Sequence, residues 1–211
     1  MKEPVILPVG MIGTNCYILG SGDTGVVIDP GDEAQKILDV LREQGITPKY
    51  ILLTHGHYDH IGAVQAVRAA TGAEVVIGQN DSEQLGDASK SLGRPGDPRF
   101  YITPDREVRE GDTIECGELL FLVIDTPGHT RGGVCYLCGD MLFSGDTLFR
   151  GDVGRTDLYG GDYPTLRLSL QKLSALDDSL RVYPGHGEQS TMEYEKQYNP
   201  YLGKADYDDL Y

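Results

Sequence analysis

The segment His55-Gly-His57-Tyr-Asp59-His60 follows directly on the apolar run Tyr50-Ile51-Leu52-Leu53, so a buried strand delivers the chain straight into three imidazoles and a carboxylate. A chance H-x-H-x-D-H in a chain with so few histidines is expected on the order of a few times in ten thousand. The pattern therefore carries chemistry. Gly56 lets the backbone fold tightly enough for His55 and His57 to converge on one ion. Asp59 and His60 open the following helix, on a part of the loop that can face a second ion. A plain helix cap is the alternative for Asp59. Capping, however, calls for no neighbouring histidines.

The remaining two of the chain's five histidines repeat one local frame. His129 follows a strand through Thr126-Pro127-Gly128, and His186 follows another through Tyr183-Pro184-Gly185. A lone histidine in a turn is more often structural than ligating. Two at equivalent strand exits, beside an H-x-H-x-D-H, reverse that expectation. The set still needs an anionic oxygen able to bridge two cations, and Asp146 in Leu-Phe-Ser-Gly-Asp146-Thr ends another strand-like run. Asp140 competes for the role but fits a hairpin turn at Gly139-Asp140 better.

Hydrophobic patterning places these residues on strands alternating with helices. VILPV, NCYILG and GVVIDPG read as a β-meander, EAQKILDVLREQGI as a first helix and KYILLT as a buried strand. IGAVQAVRAATG reads as a second helix ending at Gly72, EVVIG as a strand, and 79–106 as an irregular excursion with one short helix. The second half repeats this grammar: DTIECG, ELLFLVIDTPG, GGVCYLCG and DMLFSGDT as strands, YPTLRLSLQKLSAL as a helix, RVYPGHG as strand and loop, and EQSTMEYEKQY as a last helix. Two strand-rich halves, each closing with helices, predict two sheets packed face to face with helices outside. No linker composition interrupts 1–211, so one domain is expected, with an acidic, Tyr-rich tail from about 203 to 211.

Charge and cysteine content narrow the class. The formal net charge of −15 disfavours nucleic acid and anionic membranes as partners. The N-terminal stretch meets Pro4 and Pro8 before it could form a signal peptide, and no apolar run approaches the roughly 20 residues of a membrane span. A cytoplasmic enzyme acting on a small molecule is expected, with the oligomeric state left open. Cys135 and Cys138 form a C-x-x-C with no second pair to complete a zinc knuckle, so they read as strand residues, with a redox or metal role as the alternative.

The motifs THGHYDH, TPGHTRGG, LFSGDTLF and YPGHG, in that order across nearly the whole chain, resemble the metallo-β-lactamase superfamily. That resemblance implies an α/β fold, an αββα sandwich of two mixed β-sheets flanked by helices, with metals at one edge between the sheets. It implies that His55, His57 and His129 hold one divalent ion, that Asp59, His60 and His186 hold another, and that Asp146 bridges them. Asp29, in VIDPG, resembles the family's aspartate that supports the histidine loop; a turn residue before Pro30 is the plain reading. An aspartate at 146 and the stretch TLFRGDVGRTDLYGGDYPTL are similar to short bacterial glyoxalase II-like (hydroxyacylglutathione hydrolase-like) enzymes. Glyoxalase II proper carries an extra helical domain that supplies much of its glutathione contact, whereas this sequence ends about 25 residues after His186, which leaves glutathione recognition open.

The function expected from this pattern is binuclear, metal-dependent hydrolysis of a thioester such as S-lactoylglutathione, with Asp59 and Asp146 as the catalytic carboxylates. Zinc is the first expectation for the metal, and iron or manganese fits the same donors. Two ions sharing one water lower its pKa from about 16 toward neutrality, which supplies the nucleophile. Arg150 and Arg155, just after Asp146, are expected to bind a substrate carboxylate; a salt bridge from Arg155 to Asp157 is the even alternative. Three rivals stand beside this reading: a single-iron persulfide dioxygenase, a lactonase of the same fold, and a non-catalytic metal-binding protein. The dioxygenases carry a similar segment with a cysteine that is absent from Arg150-Gly-Asp-Val-Gly-Arg155-Thr-Asp157.

Overall fold

A computed structural model describes residues 3–202, so the acidic tail expected from about 203 lies outside the described residues. The first sheet runs β1 (Val5–Val9), β2 (Thr14–Ser21), β3 (Thr24–Ile28), β4 (Thr47–Leu53), β5 (Glu74–Gly78) and β6 (Arg106–Val108), in that spatial order. Its first three strands are antiparallel, as a meander requires, and β3 to β6 are parallel. Helix α1 (Ala34–Gln44) makes the crossover to β4, and the short turn α2 (Tyr58–Ile61) and helix α3 (Val64–Thr71) make the crossover to β5. Helix α4 (Ser82–Leu85) sits in the excursion toward β6.

The second sheet is built from β7 (Thr113–Cys116), β8 (Leu119–Asp125), β9 (Val134–Cys138), β10 (Met141–Gly145), β13 (Arg181–Pro184) and β14 (Ser190–Thr191), in the spatial order β14-β13-β10-β9-β8-β7. A separate ribbon, β11 (Leu148–Phe149) with β12 (Asp152–Val153), precedes α5 (Tyr163–Ser174), and α6 (Met192–Tyr198) follows β14. β10 and β13 are parallel, and the other neighbours are antiparallel, so both sheets are mixed.

Three apolar layers hold this arrangement. One, with Ile37, Leu41, Val64 and Val67, lies between the first sheet and its helices; one, with Tyr17, Leu52, Phe121, Tyr136 and Phe143, lies between the sheets; the third, with Leu142, Leu166, Leu170 and Met192, lies under α5 and α6. Because both faces of each central strand are covered, the strands read as near-continuous apolar runs, and successive residues enter different layers. In β4, Ile51 and Leu53 join the helix-side layer while Tyr50 and Leu52 join the inter-sheet layer.

The same alternation decides the fate of the C-x-x-C. Cys138 faces the inter-sheet layer and Cys135 the α5 layer, so two thiols three residues apart on one strand point to opposite faces and cannot share an ion or a disulfide. Burial pushes the Cys135 thiol up to about 11, away from the reactive range. Gly139-Asp140 is the expected hairpin turn, with Met141 paired to Cys138, and Asp140 faces Arg181 at 2.9 Å rather than the histidines.

Boundaries moved where a side chain or backbone bond intervened. The last helix begins at Met192, four residues later than its periodicity predicts, because Thr191 caps it through Tyr194 N–H at 3.2 Å and Ser190-Thr191 pair with β13. The predicted second helix is interrupted between Ile61 and Val64, where Ala63 N–H bonds to Pro30 O at 2.9 Å. The two-residue strands β11, β12 and β14 and the three-residue β6 are too short to show a period in the sequence.

Candidate metal centre

Every predicted ligand lies at or just beyond the C-terminal end of a strand. The His55 to His60 loop follows β4, His129 follows β8, Asp146 follows β10 and His186 follows β13, and the supporting Asp29 likewise follows β3. These ends meet at one edge between the sheets, the place where α/β folds collect ligands because loops there are free to converge. Close approach demands glycine at Gly185: a Cβ there would stand 2.1 Å from Asp146 Oδ1 and 2.8 Å from His60 Cε1.

Three overlapping donor groups form, each with its ligand atoms within 4.8 Å of one another: His55, His57 and His129; Asp59, His60 and His186; and His55, His60 and Asp146. Asp146 spans the first two groups, with Oδ1 3.3 Å from His60 Nε2, and Oδ2 3.5 Å from His186 Nε2 and 3.7 Å from His129 Nε2. Asp59 Oδ2 lies 3.4 Å from His60 Nε2 and 3.2 Å from His186 Nε2. Donors about 2.1 Å from a shared ion at tetrahedral angles stand roughly 3.4 Å apart. The spacings are those of ligands around a cation.

Satisfaction of polar atoms tests the same point. His55 Nε2, His57 Nε2, His60 Nε2 and Asp146 Oδ1 are buried without a hydrogen-bond partner. Each such atom costs about 1–3 kcal/mol when left unpaired, and His55 Nε2, His60 Nε2 and Asp146 Oδ1 together are a debt that divalent cations would relieve; His57 faces the cluster with Nδ1, 2.9 Å from His129 Nε2. His/Asp donors of this kind suit divalent transition metals. Asp29 orients the group from behind: its Oδ2 lies 2.9 Å from His60 Nδ1 and accepts Thr54 Oγ1–H at 2.6 Å, and Thr54 Oγ1 is in turn 3.1 Å from His55 Nδ1. Such partners fix the tautomer that presents the other ring nitrogen to a metal.

The electrostatics divide the histidines. Burial, reinforced by His60 and His57, drives His55 well below its usual range, and burial with His129 and His60 brings His57 down to about 3. Burial also opposes charge on His60 and His186, but Asp59, Asp146 and Asp29 override it at His60, and hydrogen bonds to Asp146 and Asp59 raise His186 to about 9. Burial would raise both carboxyls, yet His60 and His186 hold Asp59 and Asp146 well below the carboxylate range. At pH 7 the metal-free cluster thus carries protons on His60 and His186 and none on His55 or His57. Metal must displace those two. Loading the centre at pH 7 is expected to release about two protons per chain, fewer as pH rises through 9 and His186 is already neutral. Calorimetric titration in buffers of different ionisation enthalpy reads this number, and zero release at pH 7 would contradict it.

The two arginines do not join the cluster through their side chains. Arg150 reaches Glu188 and stacks 5.1 Å from the Tyr194 ring, beside a cavity lined by Tyr183, Gln189 and Tyr194. Arg155 forms the bidentate pair with Asp157, at 2.7 Å for both bonds. Its backbone does reach the centre, since the Arg155 carbonyl lies 2.7 Å from His129 Nδ1.

Sequence reasoning missed the residues that hold the ligand loops together. Thr14 Oγ1–H donates to Asp59 Oδ2 at 2.9 Å, Asn15 donates to the Pro184 and Gly187 carbonyls at 3.0 Å each, and Tyr17 O–H donates to Pro184 at 2.6 Å. One strand of the first sheet thereby fixes the His186 loop of the second. Asp81, fully buried after β5, accepts from Gly132 N–H at 2.6 Å, Thr130 Oγ1–H at 2.7 Å and Gly56 N–H at 3.2 Å. Beside the His186 ring, Glu195 of α6 and Asn199 just after it grip the β11–β12 ribbon through Gly151 N–H and the Asp152 carbonyl. Each of these is an ordinary polar residue on a strand or helix, with no local pattern to single it out.

Comparison with known proteins agrees with this geometry. The chain is 35% identical over 207 residues to the hydroxyacylglutathione hydrolase GloC of Haemophilus influenzae, covering 93% of this chain and 96% of that protein. Among solved structures, the BLEG-1 B3 metallo-beta-lactamase superposes with a TM-score of 0.88 at 36% identity, covering 95% of this chain and 99% of that one. The protein TTHA1623, crystallised in a di-iron-bound form, gives 0.83 at 36% identity, covering 95% and 100%. Among the described residues no helix is long and apolar enough to cross a membrane. The sequence profile of the metallo-beta-lactamase superfamily matches residues 9–186, from the end of β1 to the last histidine of the cluster, and this chain belongs to that superfamily of αββα metal-dependent hydrolases.

Proposed function

We propose that this protein is a thioester hydrolase of the hydroxyacylglutathione hydrolase type, with S-lactoylglutathione as the reference substrate and two divalent ions, zinc first, in the centre. The carrying observation is Asp146, whose two oxygens face His60 on one side and His129 and His186 on the other. His55, His57 and His129 would hold one ion, Asp59, His60 and His186 the other, and Asp146 both. Bound there, the pair of ions supplies Lewis acidity, acidifying water and polarising a carbonyl oxygen.

The protein's own groups do the rest. Asp29 and Thr54 orient His60 and His55, and the Arg155 carbonyl accepts a hydrogen bond from His129 Nδ1–H so that Nε2 faces inward. Thr14 holds Asp59 in place. A thiolate leaves without a strong general acid, and none is needed from the chain. Arg155 lines a cavity of about 500 Å³ with Gly154 and Thr156, which we assign to the thiol portion of the substrate; Arg150, farther out, is assigned a weaker contact to the same portion.

Element analysis of the purified protein, paired with a substrate panel, tests this reading. Two divalent ions per chain and turnover of S-lactoylglutathione support it. One iron per chain with oxygen uptake on glutathione persulfide would make the protein a dioxygenase. Preference for a lactone or a β-lactam over every thioester would move it to another hydrolase class, and metal without any turnover would leave a binding protein.

A further inference from the structure

We infer that the acyl group hydrolysed best is apolar and uncharged, about six carbons in size and larger than the lactoyl group of the reference substrate, and that it enters a pocket beside Asp59; this rests on the thioesterase reading above. The pocket lies between the β1–β2 turn and the α2 segment, and Val9, Met11, Ile12, Tyr58 and Phe100 line it together with Asp59. Its volume is about 160 Å³. An apolar cavity of about 150 Å³ accommodates benzene, so a six-carbon chain or a phenyl ring is the matching size.

The lining explains itself poorly without an occupant. Met11 is fully exposed and Ile12 more than half exposed, on a four-residue turn closed by Gly13 N–H to Gly10 O at 3.4 Å. Across the gap, Phe100 is buried with its ring edge-on to half-exposed Tyr58 at 6.4 Å. Gly31 and Gly62 complete the lining, and no Cβ could be added at Gly31, where it would stand 1.6 Å from the Asp59 carbonyl oxygen. The backbone around Asp59 is thus packed tightly, while the apolar side chains beside it face open space.

Charge selects what enters. Asp32 and Arg99 line the pocket, and Glu33 and Asp97 stand close to it; Asp59 lines it too, but its carboxylate belongs to the metal centre. Arg99 already forms a bidentate pair with Asp97 and lies 3.9 Å from Asp32, and Lys36 donates to the Pro8 carbonyl at 2.7 Å. With Asp59 given to the metal, Asp32, Glu33 and Asp97 outnumber Arg99 and Lys36, so a carboxylate at the far end of the acyl group would meet more anions than cations. Asp59 is shared by the pocket's lining and the metal centre, so the pocket lies directly beside the ligands.

A series of glutathione thioesters on the zinc-loaded protein tests the inference. Each buried methylene contributes up to about fourfold, so kcat/KM is expected to climb about threefold per methylene from acetyl to hexanoyl and to level off by octanoyl. Succinyl is expected to fall well below butanoyl at equal carbon count. Met11→Ser and Ile12→Asp, both at exposed positions, should cut the gain from butanoyl to hexanoyl to less than about twofold. A flat series, or succinyl equal to butanoyl, overturns the inference. A second readout needs no turnover: hexanamide should shift the Met11 and Ile12 methyl resonances of the zinc-loaded protein saturably. If no thioester is hydrolysed but those methyls shift, the thioesterase reading fails and the pocket stands; if the methyls do not move, the pocket is wrong even where thioesters turn over.

Discussion

Replacing Asp146 with alanine is expected to lower thioesterase kcat/KM by about a thousandfold, because the several kcal/mol of charge stabilisation from a paired centre converts at 1.36 kcal/mol per tenfold. The expectation rests on position. Asp146 is the carboxylate that approaches members of both donor triads, at 3.3 Å to His60 and 3.7 Å to His129. Its carboxyl is held ionised, since His60 and His186 outweigh the burial that would protonate it. Without it, His55, His57 and His129 can still hold one ion, so bound metal should fall from two equivalents to one or fewer. Asp146→Asn keeps the shape and removes the charge, and should lose nearly as much. Metal content by elemental analysis and turnover of S-lactoylglutathione are the two measurements. A variant that keeps both metals and full turnover would remove Asp146 from the centre and, with it, the two-ion reading.

The ligand positions were legible because each sits at a strand exit, where the sequence changes abruptly from apolar residues to Gly, Pro, His or Asp. Tyr50 to Leu53 followed by His55, and Phe143-Ser-Gly followed by Asp146, are such changes. The layered fold was legible for a related reason: strands covered on both faces must be continuously apolar, and helices with one covered face must be periodic. What escaped is nonlocal. Thr14, Asn15 and Tyr17 lie in an ordinary strand, and their partners stand more than forty residues away in sequence at Asp59 and about 170 away at Pro184 and Gly187. The Arg155 contribution escaped for a different reason. A guanidinium advertises itself in sequence, while the carbonyl that actually reaches His129 belongs to every residue type equally. The aspartate at 81 could have been suspected only by asking what satisfies the backbone of two glycine-containing ligand loops.

That aspartate should be the most sensitive position outside the ligands. Gly56 N–H lies between His55 and His57, and Thr130 and Gly132 lie just after His129, so Asp81 ties together the two loops that supply one complete donor triad. Asp81→Ala would leave three donors unpaired where no water reaches them, at about 1–3 kcal/mol each, or roughly 3–6 kcal/mol in all if the loops relax in part. Against a typical total of about 5–15 kcal/mol, that is a large fraction. At about 2–4 °C per kcal/mol for a chain of this size, the metal-free melting temperature should drop by about 10 °C or more. Burial already raises the Asp81 carboxyl against the pull of its three donors, so Asp81→Asn removes that desolvation cost and should land between alanine and wild type. Zinc affinity should fall about 10–100-fold, as it does when partners that orient ligands are removed, and excess zinc should recover part of the lost melting temperature because it binds the folded chain alone. If alanine shifts the melting temperature by less than about 2 °C and leaves zinc affinity unchanged, then the loops hold their histidines in place without Asp81, and the rigidity of the centre must come from the ligand strands themselves.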